Sequence, residues 1–175
     1  MPTQTKSKTS AATASAKLRE SRNDMSPKNR AAVCEVLNAT LADMTDLASH
    51  CRHVHWNTRG RSFMTYHKLF ELLTDMVREP LDEIAERITA LGGFAQGTVQ
   101  RAAAATNLKD LPDSFDDPLK AVAALADSVA NCAGRVRASI DIAAEKHDDA
   151  GSADLLTAIS RSLDKGLWLL DAHGA

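Results

Sequence analysis

Apolar side chains recur at intervals of three and four along most of this chain, with no stretch of strand-like alternation. Val33, Val36, Leu37, Leu41, Met44, Leu47 and Ala48 form the first stripe, which predicts an amphipathic helix running to about Val54. Ser26-Pro27 supplies its start, a serine cap followed by proline at the first helical position, where the missing N–H is not needed. Asn57-Thr58-Arg59-Gly60 is a turn by composition. The second stripe is Phe63, Tyr66, Leu69, Phe70, Leu73, Met76, Val77, Leu81, Ile84, Ile88 and Leu91. It predicts a helix from about Ser62 that Gly92-Gly93 stops. Pro80 falls inside that helix and removes one backbone bond, so a kink near Met76 is expected. The apolar period stays in phase across the proline, which favours one bent helix over two.

Residues 94–115 form a long connection with a short helix expected over Val99–Ala105. Asp116-Asp117-Pro118 then opens a third long helix over about 118–146. After residues 147–152, Leu155, Leu156, Ile159, Leu163, Leu167 and Leu170 mark a fourth, to about Ala172. Four helices with one long crossover between two that run the same way define an all-α, ferritin-like four-helix bundle. The bundle domain is expected over residues 26–175. Residues 1–25 hold almost no large apolar side chain, cannot offset their ordering entropy, and read as a disordered basic N-terminal arm.

The net charge of −2 gives the whole chain no polyanion-binding balance, yet the charge is unevenly placed. Lys6, Lys8, Lys17, Arg19 and Arg22 against Glu20 and Asp24 make the arm +3, which leaves the body at −5. Cys34, Cys51 and Cys132 form neither a CxxC pair nor an even framework, and read as buried, reduced thiols of a cytoplasmic protein. No apolar run approaches the length of a membrane span, and the start has no secretory h-region. A merely solubilising tail is the competing reading of the arm, and a transit-peptide composition of its first residues a lesser one.

Chemistry enters with His67, Glu71, Asp82 and Glu86. At about 100° per residue these fall near 0°, 40°, 60° and 100°, on one helix face. The two pairs lie roughly 16 Å apart along the axis, too far to grip one ion. Both His67/Glu86 and Glu71/Asp82 sum to 153, so the set is symmetric about a point between Met76 and Val77. A second copy packed antiparallel across a two-fold axis there would place His67 and Glu71 opposite Glu86 and Asp82 of the other chain, twice over. Imidazole and carboxylate without thiolate suit iron, manganese or zinc. The within-bundle di-iron arrangement needs Glu-x-x-His, which occurs nowhere here.

His55-Trp56-Asn57, Gly60, Phe63, His67, Asp82-Glu83-Ile84-Ala85-Glu86-Arg87 and Ala90-Leu91-Gly92-Gly93 together resemble the Dps mini-ferritins, the DNA-binding proteins from starved cells. Asp164-Lys165 and Leu167-Trp168 strengthen the resemblance, which covers about residues 26–172. The family pattern His-x11-His-x3-Asp/Glu-x10-Asp-x3-Glu is met by His55, His67, Glu71, Asp82 and Glu86. The resemblance implies a hollow dodecameric shell with ferroxidase sites at two-fold interfaces, two iron ions to each. One subunit would supply Asp82 and Glu86, its partner His55, His67 and Glu71. Iron(II) would be oxidised, preferably by hydrogen peroxide, and stored as ferric mineral. Trp56, beside His55, would quench oxidising equivalents. Glu71, where many relatives carry Asp, lengthens that ligand by one methylene. The resemblance further implies acidic pores near the start of the last helix, for which Asp148, Asp149 and Asp154 are the candidates.

The arm's lysines and arginines could neutralise phosphates without reading sequence, since the chain has neither aromatic interleaving nor a recognition-helix signature. Two functions therefore compete with one another. The first is an iron-storing ferroxidase that protects DNA, with non-specific DNA contact through the arm. The second is a nucleoid-compacting structural protein with little iron chemistry. Taken singly, the residues have plainer readings. Asp82 and Glu86 could belong to a solvated salt-bridge strip, His55 could be a packed helix-terminal histidine, and His50 and His53 could be surface or interface residues.

Overall fold

The computed structural model describes residues 18–174. Among them there is no strand. The helices are α1 (Pro27–Asn57), α2 (Phe63–Ala90), α3 (Val99–Ala105), α4 (Pro118–Asp141) and α5 (Ala150–Gly174), with a π-helical turn, Ile142–Lys146, joining the last two. Ser26 caps α1 as expected, its side chain accepting from Asn29 N, with Pro27 in the first turn. Asp117 caps α4 in the same way, accepting from Leu119 N, again with a proline just behind it. Gly60, at φ 110°, makes the turn into α2 in a conformation that only glycine adopts freely.

The long helices pair as α1 with α2 and α4 with α5, and the pairs meet through α1–α4 and α2–α5 contacts. Direction follows from the ends. The last turn of α1 (Val54, Asn57) and the first of α4 (Pro118, Ala121) line one shallow pocket. At the opposite end Asn29 Nδ2 donates to His147 O at 3.1 Å. The connection after α2 therefore carries the chain back along the bundle, so that α2 and α4 run the same way. A single core fills the middle, with Phe70, Leu37, Met44, Leu47, Leu73, Ile84, Ile88, Leu125 and Leu156 among its fully buried side chains.

Pro80 does not split α2, which is continuous from Phe63 to Ala90. The third expected helix, 118–146, ends its α-helical part at Asp141; the remainder is the π turn. The fourth begins at Ala150 rather than after residue 152, because Asp149 caps it. Residues 1–17 of the expected arm lie outside the described residues. Residues 18–25 are fastened to the bundle: Leu18 and Met25 pack on the core, and Arg19 N–H donates to Gly92 O at 2.8 Å. The described part of the expected arm thus lies against the bundle, whose first helix begins at Pro27. Leu18 and Met25 are the apolar anchors that the polar composition around them obscures.

Candidate metal centre

His55 stands in the last turn of α1 and His67 in the second turn of α2, brought together by the short turn between the helices. Each imidazole bonds the other's backbone: His55 Nδ1 lies 3.0 Å from His67 O, and His67 Nδ1 3.2 Å from His55 O. The rings stack with centroids 3.9 Å apart and 25° between planes, and Phe63 stacks on the outer face of His67 at 4.8 Å. A carbonyl can only accept, so each Nδ1 must carry a proton, which leaves Nε2 as the ring atom available to a ligand. This is the outer-shell bonding that orients a histidine toward a metal and fixes its tautomer. His55 is buried and His67 half-buried.

Glu71 lies one turn beyond His67 and accepts from Lys68 Nζ at 2.7 Å, with both side chains solvent-facing. The Lys68 hydrogen bond and charge hold the Glu71 carboxyl below its ordinary range. Asp82 and Glu86 lie on the far half of α2, exposed and without an ion pair among the described residues. Among the described residues of one chain, no group of three His, Cys, Asp or Glu side chains is placed to hold a metal. The chain thus joins His55 to His67 and leaves Asp82 and Glu86 apart from them. Trp56, next to His55, is 71% exposed.

The acidic residues at the start of α5 divide. Asp148 and Asp154 are exposed, Asp148 in a left-handed conformation at φ 53°. Asp149 is buried and fully engaged. It accepts from Ser152 N at 3.0 Å, Ser152 Oγ at 2.6 Å and Arg87 Nη2 at 2.6 Å. As a pore candidate it is corrected to a structural cap that ties α5 to α2.

Asp43, missed in the sequence, anchors the crossover. Buried on α1, it accepts from Asn107 N at 2.8 Å and Arg135 Nε at 2.6 Å. A lone acid within Leu41-Ala42-Asp43-Met44 was the available signal. His50 is buried as well, 3.3 Å from Ser128 Oγ, rather than on the surface. The three cysteines are buried free thiols, and burial pushes Cys51 and Cys132 up to about 12.

An up-and-down pair of helical hairpins joined by one crossover, with stacked imidazoles at a hairpin turn, defines a ferritin-like helical protein. A family model described as "Ferritin-like domain" matches residues 34–174. A "DNA protection during starvation protein" of Agrobacterium fabrum is 35% identical over 157 residues, covering 90% of this chain and 96% of its own. Among solved structures, Mycobacterium smegmatis Dps aligns with a TM-score of 0.83 at 30% identity, over 89% of this chain and 93% of that one. Dps from Microbacterium arborescens, described as in the high iron form, aligns at 0.77 with 28% identity, over 85% and 95%. The chain belongs to the Dps family of ferritin-like proteins. Among the described residues no helix is long and apolar enough to cross a membrane.

Proposed function

We propose that this chain is the subunit of a dodecameric shell that oxidises iron(II) at two-fold interfaces and stores the ferric product, protecting DNA in the cytoplasm. The observation that carries this reading is the reciprocal Nδ1–carbonyl bonding of His55 and His67, which commits both Nε2 atoms to an outside partner. The midpoint of α2 falls between Met76 and Val77, the same point about which the candidate ligands are symmetric. An antiparallel copy across that point completes each site with Asp82 and Glu86 from one subunit and His55, His67 and Glu71 from the other. Carboxylates and neutral imidazoles bind iron(II) as substrate and tolerate the extra charge of iron(III). With peroxide as oxidant, each of two irons gives up one electron, the O–O bond breaks, and two protons complete two waters. Trp56 lies beside the site to take up stray oxidising equivalents. Asp148 and Asp154, both exposed, are the acids assigned to an iron entry pore, and the basic arm adds non-specific, salt-sensitive contact with DNA.

The test is anaerobic iron(II) titration followed by peroxide, with sedimentation on the same sample. Fast oxidation at about half an equivalent of peroxide per iron, in a particle near twelve times the chain mass of 18.8 kDa, is the expected result. Replacing both residues in His67→Ala/Asp82→Ala should abolish the fast phase while any duplex binding persists. A shell that binds duplex but oxidises no iron would favour the nucleoid-compacting role instead.

A further inference from the structure

Residues 18–25 run as an irregular strap over the end of the bundle where α1 begins and α2 stops. Beneath it lies Arg30, only 6% exposed. Its Nη1 donates to Leu91 O at 3.0 Å and its Nε has no partner. Among the described residues no carboxylate lies within ion-pair distance of it. Gly92, at φ 84°, permits this crowding: a Cβ there would stand 2.8 Å from Arg19 O and 3.0 Å from Arg30 Nη1. One backbone bond and the half-buried Leu18 and Met25 hold the strap down. Against them stands a buried guanidinium with an unmet donor and no counter-charge, both of which water or an anion would satisfy. Closure therefore carries a cost that opening would relieve.

We propose that the strap is a latch on the basic arm, and that double-stranded DNA holds it open. Closed, it is tied to the bundle at Arg19; open, the first tie among the described residues is at Ser26 and Arg30 faces solvent. The strap's own charges cancel, Arg19 and Arg22 against Glu20 and Asp24, so the cation gained on opening is Arg30. A phosphate backbone binds that state better and so shifts the latch toward it. This inference rests on the reading of the arm as a DNA contact.

The test uses the full chain, a short duplex at low salt, amide hydrogen exchange across residues 18–25, and duplex affinity on the same samples. Duplex should speed exchange of the wild-type strap. Leu18→Ser/Met25→Ser, and separately Gly92→Ala, should speed exchange without DNA and tighten duplex binding severalfold. Arg30→Met, which fills the same space and needs no partner, should slow strap exchange without DNA. In the Leu18→Ser/Met25→Ser background it should lower the salt slope of log K by about 0.9, one phosphate contact. Binding with strap exchange indifferent to duplex and to Arg30→Met overturns the latch and leaves the arm reading standing. Absence of duplex binding in every version, the opened ones included, overturns both.

Discussion

His50 sits on α1 with Nδ1 3.3 Å from Ser128 Oγ on α4 and Nε2 3.7 Å from Asp46. Burial pushes its pKa down, Asp46 and then Asp110 from the crossover pull it back, and His53 adds to the depression. A histidine depressed in the fold binds fewer protons folded than unfolded. Its contribution to stability is therefore full above the ordinary imidazole value of about 6.5 and is lost as pH falls through the folded value. His50→Gln, neutral throughout, should flatten the decline of the urea midpoint below about pH 6.5; parallel wild-type and variant curves would count against the assignment. Asp149 makes the opposite case, a buried acid whose loss strands Arg87. Asp149→Ala should cost about 3 kcal/mol in urea unfolding, since it removes a cap and leaves a partly buried charge unpaired. Asp149→Asn, which can still cap, should cost less.

Helices were legible where bulky apolar residues mark the period. α1 and α2 follow their stripes closely, and α3 spans Val99–Ala105 as the sequence suggests. The π turn at Ile142–Lys146 was not legible, because no residue type in Ile142-Ala143-Ala144-Glu145-Lys146 marks a widened turn. At the candidate site the spacing of His55, His67, Glu71, Asp82 and Glu86 could be read directly. The reciprocal imidazole–carbonyl bonds could not, since a backbone carbonyl leaves no mark of residue type. Pro80 is where an element meets its chemistry, lying between the imidazole half of α2 and the carboxylate half. Pro80→Ala restores the bond to Met76 O and should stabilise the fold, by at most the ~3 kcal/mol that an interior proline costs. If the proline sets the relation between the two halves, the same change should slow peroxide-driven iron oxidation; an unchanged rate would mean that the proline plays no part in the site.

At the scale of the whole molecule, one chain brings together only His55 and His67 of the five candidate ligands. The two-fold relation proposed for α2 makes a demand independent of metal, because residues summing to 153 must tolerate contact. Asp75 then meets Arg78, on the same face as the ligands. Asp75 and Arg78 are both exposed, and neither has an ion pair among the described residues. Each antiparallel contact would form the Asp75–Arg78 pair twice. Exposed pairs contribute about 0.2–1 kcal/mol apiece, so turning two attractions into two repulsions should weaken the dimer roughly tenfold or more at low salt. Asp75→Arg alone and Arg78→Asp alone should each do this by sedimentation, and salt should mask the defect. The double exchange, Asp75→Arg with Arg78→Asp, restores opposite charges across the axis and should recover assembly. Recovery would fix the register of α2 against its copy, and with it the meeting of His67 and Glu86, without reference to iron. Two defects that merely add would mean that the symmetry of the ligand spacing is not the symmetry of the interface.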